Sequence, residues 1–522
     1  MLCVLFAMLA LYGVYSYTHY GSRWFSVSAN TWLRSAKKDV VPGDIYDING
    51  VLLAGSDVTA GEDGLSVSRR YHQDAAVRAA TVHVIGDAAG NVSNGVETFM
   101  ARALYGFEQS ISERLGDAMA GRQRKGDSLT LTVDSALCRY ISGRVGEIRL
   151  PVNEDGTRPP LCGAVVVMNW KTGAVLAEMS FPSFDPAARG SSAGEPYFNR
   201  AVQGRYAPGS TFKVVTAAAA LSDPGLNGRS FTCTGALEAR DRTGSTRLIT
   251  DAGTDAEILV THGQIDLARA FRVSCNNTFA TAALQLTDAK LRKQAMNFGF
   301  EENFLFRDIV VENSSYPEGE RSEWDVAMTG IGQSGLLATP MHLCLIAASV
   351  ANYGVMMEPR LLARATASNG SIRRVFESRA ARTAVSDPTV LAALRGMMYD
   401  VVNAENGTGS RAALADWPVY GKTGSAEVDG QARTNALFIG FIGDDRAPYA
   451  LSIVLENTGS GGAFAAPLAH DIFEYLTKVD SVGVTVHGVN SDRKGDSRPP
   501  FGTPLSDLPV APLGLPGGKS AR

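Results

Sequence analysis

Three short patterns in this chain of 522 residues could together support nucleophilic acyl transfer: S-x-x-K, S-x-N and K-[ST]-G. A serine hydroxyl attacks a carbonyl only when a base removes its proton. A lysine amine held among apolar neighbours can have its pKa depressed and serve as that base. No single match is informative, because each pattern occurs more than once. S-x-x-K appears at Ser35/Lys38, Ser210/Lys213 and Ser491/Lys494, S-x-N at Ser28/Asn30 and Ser274/Asn276, and K-T-G at Lys171 and Lys422.

Context separates them. Ser35/Lys38 and Ser28/Asn30 stand beside an apolar N-terminal run, and Ser491/Lys494 falls in a Pro/Gly-rich tail where no rigid pocket is expected. Lys171-Thr172-Gly173 reads as a hairpin tip, for which a glycine turn is sufficient explanation. Ser210/Lys213, Ser274/Asn276 and Lys422-Thr423-Gly424 remain, in that order within one expected domain.

Local sequence suits each survivor. Pro208-Gly209 precedes Ser210, and Thr211 to Ala217 continues as an apolar helix. Ser210 thus falls near a helix N-terminus, where developing negative charge is favoured, and Lys213 follows one turn on. Lys422-Thr423-Gly424-Ser425-Ala426 reads as an edge strand whose glycines admit a substrate backbone; a plain turn is the simpler alternative. Ser274-Cys275-Asn276 lies in a helical middle portion, where a helix cap is the simpler alternative.

The elements around these residues follow from hydrophobic patterning. Gly163 to Met168 and Ala174 to Met179 read as two strands joined by Asn169 to Gly173. Phe212 to Leu221 and Met341 to Asn352 read as helices, Asn435 to Ile442 and Tyr449 to Leu455 as strands, and Pro467 to Leu476 as a closing helix. One sheet is therefore expected to be assembled from both ends of the region from about 160 to 478. Before it, residues 21–150 show short strands such as Gly50 to Ala54 and Ser128 to Val133, with a helix at Gly95 to Leu104. Asn153 to Pro160 reads as a linker, and residues 480–522 as a disordered tail.

Composition limits the partners. With 45% hydrophobic and 20% charged residues the chain is globular, and its net charge of -4 argues against nucleic acid. Met1 to Tyr17 carries no charge and is expected to be a membrane anchor within residues 1–20, about 26 Å long as a helix. The basic residues that follow (Arg23, Arg34, Lys37 and Lys38) run against the positive-inside rule for an extracytoplasmic chain. Six cysteines, at 3, 138, 162, 233, 275 and 344, form no C-x-x-C pair, so no zinc site is expected from spacing.

The segment from Asn199 to Lys213 resembles the active-serine segment of penicillin-binding proteins. Gly163 to Val167, Gly421 to Glu427, Asn457 to Gly462 and Ala465-Ala466-Pro467 support the likeness, which extends over residues 160–478. The layout is similar to class B members, of the actinobacterial penicillin-binding protein A type. The resemblance implies an α+β fold: a serine β-lactamase/transpeptidase-like domain with an antiparallel sheet, flanking helices and a helical subdomain. An elongated, mainly β pedestal over 21–150 and an N-terminal anchor would precede it.

The resemblance also implies roles. Ser210 would attack the penultimate D-Ala of a peptidoglycan stem peptide, and Lys213 would take its proton. Ser274 would relay a proton to the leaving amine, and Asn276 would hold Lys213 and the substrate amide. Lys422 and Thr423 would bind the terminal carboxylate beside Gly424, and the N–H groups of Ser210 and Ser425 would form an oxyanion hole. β-Lactams would acylate the same serine. No cofactor or metal is implied, and a polytopic membrane glycosyltransferase is the implied partner. Cys275 departs from related β-lactamases, which often carry Asp there; oxidation or pairing of its thiol would change the loop. A class A β-lactamase is disfavoured because no E-x-x-L-N-like segment lies between Ser274 and Lys422. A D,D-carboxypeptidase and a non-catalytic scaffold or sensor remain open.

Overall fold

The computed structural model of the chain describes residues 2–25, 40–61, 64–121, 123–150, 156–157, 159–188, 195–251, 260–428, 430 and 433–481. The tail beyond 481, most of the linker, and the serines of Ser35/Lys38, Ser28/Asn30 and Ser491/Lys494 lie outside the described residues. Helix α1 (Leu2–Phe25) opens the chain. Among the described residues no helix is long and apolar enough to cross a membrane.

The N-terminal region is mixed rather than mainly β. Strands β1 (Ile45–Tyr46), β2 (Leu52–Gly61), β3 (Gly64–Tyr71) and β4 (Ser128–Leu131) accompany helices α2 (Ala75–Ile85) and α3 (Ser135–Glu147). The strand expected at Gly50 starts later because Asp47 Oδ1 accepts the N–H groups of Asn49 and Val51 at 2.9 and 2.8 Å, closing a turn. The helix expected at Gly95 to Leu104 is broken at Met100 into Val96–Phe99 and Ala101–Leu104.

The functional region begins with β5 (Gly163–Asn169) and β6 (Val175–Phe181), followed by α4 (Lys213–Ser222). Two small hairpins come next. One pairs β7 (Ser230–Cys233) with β10 (Gly263–Asp266), and the other pairs β8 (Ala236–Arg240) with β9 (Thr246–Thr250). Helices α5 (Leu267–Arg272), α6 (Asn276–Leu286) and α7 (Pro340–Ala351) lead to β11 (Leu362–Thr366) and β12 (Ile372–Val375). Helix α8 (Pro388–Asn403), strands β13 (Val419–Ala426), β14 (Asn435–Ile442) and β15 (Tyr449–Leu455), and helix α9 (Ala465–Ser481) complete it.

Both ends of this region build one antiparallel five-stranded sheet in the order β13-β14-β15-β5-β6. All residues of β5, β6, β14 and β15 are buried, which explains why apolar residues dominate both faces of these strands. Helix α7 is buried along its whole length, and Ser452 Oγ donates to Pro340 O at 2.6 Å, tying β15 to the start of that helix. Each fully buried Val, Leu or Ile stabilises such a core by about 1.5–3 kcal/mol.

Strands β11 and β12 leave this region and join the N-terminal sheet, whose order is β12-β11-β4-β1-β2-β3. Thr132 secures the junction: its hydroxyl lies 2.7 Å from Val175 O and 2.8 Å from Arg360 O. Buried Asp308 accepts the N–H of Leu362 at 2.8 Å on the same side.

The K-T-G at Lys171 is a hairpin tip, as its sequence suggests. Asn169 Oδ1 accepts from Lys171 N and Thr172 N at 3.0 and 3.1 Å, and Gly173 takes φ +74.

Candidate active site

Ser210 sits in a single 3-10 turn, Gly209–Phe212, that runs directly into α4. Thr211 Oγ1 donates to Pro208 O at 2.7 Å and tightens the turn. Gly209 has φ +50, and a Cβ there would lie 2.9 Å from Ser425 O. The serine turn and the K-T-G strand are therefore in backbone contact. Gly209 N also donates to Gly332 O at 3.0 Å.

Lys213 is the first residue of α4 and is wholly buried in an otherwise apolar helix start. Its Nζ donates to Ser274 O at 2.7 Å, to Asn276 Oδ1 at 2.7 Å and to Ser274 Oγ at 3.3 Å. Burial lowers its pKa to about 8, although the charges of Asp251 and Cys275 pull the other way. The aromatic face of Phe279 lies 5.5 Å from the amine.

Ser274 follows α5 and adopts φ +59, a left-handed conformation costing a non-glycine residue about 1–2 kcal/mol. That conformation lets its carbonyl and hydroxyl both meet Lys213. Cys275 caps α6, its sulfur accepting from Thr278 N at 3.3 Å. The helix-cap reading of this motif is thus correct for Cys275, while Ser274 and Asn276 face the lysine. Asn276 Nδ2 donates to Thr250 O at 2.8 Å, which orients its oxygen toward Lys213.

Lys422 lies on β13, the edge strand of the sheet, and is fully buried. Its amine donates to Ser274 Oγ at 2.9 Å and to Thr423 O at 3.1 Å. Burial pushes its pKa well below the ordinary lysine value, and neighbouring Lys213 adds to the shift. Thr423 Oγ1 is 2.7 Å from Thr408 Oγ1. Ser425 is half-buried, unlike the other residues of β13, and its hydroxyl accepts from Gly461 N at 3.3 Å. Gly424 has no room for a side chain, since a Cβ would lie 2.9 Å from Thr211 Cγ2.

All three patterns chosen by order and context therefore converge, with Ser274 Oγ between two lysine amines. Sequence reasoning missed Thr408, Thr250, Asp251 and Gly332, none of which stands in a recognisable short motif. It also missed a set of side chains behind the S-x-N loop. The donor atoms of Cys233, Asp251, His262 and Cys275 all lie within 4.8 Å of one another. Ligand spacing along the chain does not reveal them because they come from four separate segments.

This fold and this convergence are those of the penicillin-binding enzymes. Residues 163–474 match the family model described as the penicillin binding protein transpeptidase domain, and the chain belongs to that family. It is 29% identical over 404 residues to the peptidoglycan D,D-transpeptidase PbpA of Mycolicibacterium smegmatis, covering 73% of this chain and 78% of that protein. It is also 29% identical over 367 residues to the peptidoglycan D,D-transpeptidase MrdA of Acinetobacter baumannii, covering 60% of this chain and 50% of that one. Among solved structures, the imipenem acyl-enzyme complex of penicillin-binding protein A from M. tuberculosis superposes with a TM-score of 0.72 at 26% identity, covering 84% of this chain and 100% of that one.

Proposed function

We propose that this chain is a peptidoglycan D,D-transpeptidase that works through an acyl-enzyme on Ser210. The observation that carries the reading is the meeting of Lys213, Ser274, Asn276 and Lys422 beside the serine turn, at 2.7–3.3 Å. Acyl-enzyme complexes of penicillin-binding protein A from M. tuberculosis with imipenem and penicillin G support it.

Lys213 takes the Ser210 proton as Oγ attacks the carbonyl of the penultimate D-Ala of a stem peptide. The N–H groups of Ser210 and Ser425 hold the oxyanion, a role favoured by the close approach of Gly209 to Ser425 O. The C–N bond then breaks, and Ser274 passes a proton to the departing D-Ala amine. Lys422 and Thr423 bind the substrate's terminal carboxylate along β13, and Gly424 keeps that strand clear. An amine of a neighbouring stem peptide attacks the serine ester, forms the cross-link and regenerates Ser210. A β-lactam enters the same step through its ring amide, and the acylated serine persists.

The substrate lies outside the cytoplasm, so the catalytic region is placed there, with the uncharged run from Met1 to Tyr17 proposed as its single membrane anchor on the strength of its sequence. The apolar side chains of Val4, Leu5, Phe6, Met8, Leu9 and Leu11 are exposed on α1, as an anchor requires. A polytopic membrane glycosyltransferase would supply the glycan strands. Residues 21–150 act as the pedestal beneath the catalytic region, 160–478.

The reading is tested by incubating the full chain in detergent with a fluorescent penicillin, alongside Ser210→Ala, and resolving the denatured proteins. Long-lived label on the wild type alone supports it. A folded wild-type chain that takes no label would move the assignment to a non-catalytic scaffold.

A further inference from the structure

We propose that the short helix Ile111–Met119 is a second membrane contact of this chain, which lays Ile111, Leu115 and Met119 into the lipid surface that holds the N-terminal anchor. The inference rests on that anchor and not on the acyl-transfer chemistry. It starts from an inversion. A surface helix ordinarily turns its apolar stripe to the core and its charges to solvent. Here Ile111, Leu115 and Met119, at i, i+4 and i+8 on one face, are 86%, 59% and 81% exposed. Glu113 and Asp117 lie on the opposite face and are half-buried.

The charged face is what holds the helix. Ser110 Oγ accepts the Glu113 N–H at 3.2 Å and Glu113 Oε2 accepts the Ser110 N–H at 2.7 Å, a capping box. Glu113 Oε1 accepts from Arg373 Nη2 at 2.9 Å, and Arg373 Nε lies 2.6 Å from Oδ2 of wholly buried Asp127. Arg373 belongs to β12, the edge strand of the N-terminal sheet, where the flanking Ile372 and Val375 are exposed as well. An ionic chain thus fixes the helix with its apolar stripe outward.

Position selects the occupant. Val41 N donates to Arg124 O at 3.0 Å, and Gly126 N donates to Val41 O at 2.9 Å. The segment leaving the helix therefore pairs with the point where the chain from the anchor enters the pedestal, and Met119, five residues before Arg124, lies within about 18 Å of it. Only residues 26–39 separate Val40 from Phe25 at the end of α1, a span of at most about 50 Å. A second copy of the chain fits less well, because three side chains offer a few hundred Å² where a stable protein interface takes about 800 Å² per partner. A bilayer sets no such minimum, since the anchor already keeps it close. Exposed Arg114 lies near enough to Arg124 that its charge, after burial, lowers the Arg124 pKa, and an anionic headgroup relieves that repulsion. Glu108 and Asp117 stand on the same segment, so the apolar stripe carries the contact and the charge only assists it.

Two attachments would stop the pedestal turning about its tether and hold the catalytic region at a set angle to the bilayer. The test reconstitutes the full chain into vesicles of phosphatidylglycerol and phosphatidylethanolamine carrying a diazirine-tagged acyl chain. After irradiation, proteolysis and mass spectrometry locate the lipid adducts. Wild type should give adducts both on the run from Met1 to Tyr17 and on Ile111–Met119. Ile111→Ser, Leu115→Ser and Met119→Ser combined should cut those on the helix at least about tenfold and leave the N-terminal ones unchanged. All three side chains are exposed, so the combined variant is expected to keep the wild-type melting temperature. Adducts on the N-terminal run alone overturn the proposal and leave the anchor standing. Adducts on neither segment remove the anchor, and the proposal falls with it. If the same substitutions instead turn a dimer into a monomer, the stripe belongs to a second copy and the lipid contact is overturned.

Discussion

Lys213 and Lys422 direct their amines at one hydroxyl: Ser274 Oγ lies 3.3 Å from the first and 2.9 Å from the second. Both lysines are fully buried, and each is depressed by that burial. Two ammonium groups so close cannot both be comfortable in a site shielded from water. The arrangement therefore favours releasing a proton from the pair, which is what a base adjacent to Ser210 requires. Ser274 can accept from one amine and donate to the other, so a proton can pass between them without movement of the backbone.

Acylation by benzylpenicillin is expected to rise with pH. In the proposed mechanism Lys213 acts as the neutral amine, and its pKa is lowered to about 8. Below that value the second-order rate constant should increase about tenfold per pH unit, and above it the rate should level off. Rapid-mixing kinetics from mildly acid to mildly alkaline pH would check this. A rate that is flat on the acid side would remove Lys213 from the role of base.

Replacing Lys422 should separate stability from activity. Its pKa is lower folded than unfolded, so protonation opposes folding, and stability falls as pH drops from the unfolded lysine range toward the folded value. Lys422→Met keeps the volume and removes the buried amine. Unfolding by urea at neutral pH should show a gain of about 1–3 kcal/mol, while penicillin acylation should fall by at least about 100-fold. Loss of both properties would mean that the contact with Ser274 is primarily structural.

Thr408 is expected to act by positioning Thr423. Their hydroxyl oxygens are 2.7 Å apart, and Thr408 comes from the loop after α8, not from the K-T-G strand. Thr408→Val preserves shape and removes that hydrogen bond, worth about 0.5–1.5 kcal/mol. Acylation should slow by about 2- to 12-fold, and Thr423→Val should slow it further. Because the two residues act through one bond, the double variant should be no worse than Thr423→Val. Additive losses in the cycle would disconnect Thr408 from the site.

The fold was legible where a whole element is apolar. Asn435–Ile442 and Tyr449–Leu455 carry the same bounds in sequence and structure because both strands are buried on two faces. Ser210, Lys213 and Lys422 were legible as candidates because the S-x-x-K and K-T-G patterns each lie within a few consecutive residues. What escaped depends on tertiary contact. Strands β11 and β12 are polar and half-exposed, and nothing local indicates that β11 pairs with β4, Leu362 opposite Leu131. Cys233, Asp251 and His262 meet Cys275 only through two hairpins folding over α6, so no spacing rule reports them.

Two glycines with the same backbone conformation should behave differently. Gly332 and Gly370 both have φ +86, so an alanine at either position costs roughly 1–2 kcal/mol of backbone strain. Gly370 has open space around it, whereas a Cβ on Gly332 would lie 2.0 Å from Gly209 O, directly beneath the Ser210 turn. Gly370→Ala should therefore lower stability modestly and leave penicillin labelling intact. Gly332→Ala must also push the Gly209 carbonyl away, and Gly209 is the residue that keeps the serine turn against Ser425. Labelling of Ser210 should fall by well over about tenfold, even in protein that retains a cooperative unfolding transition. Measuring both variants by thermal melts and by fluorescent-penicillin kinetics separates strain from steric displacement. Equal labelling in the two would show that the serine turn tolerates movement at Gly209 and that the close approach to Gly332 does not hold the nucleophile in place.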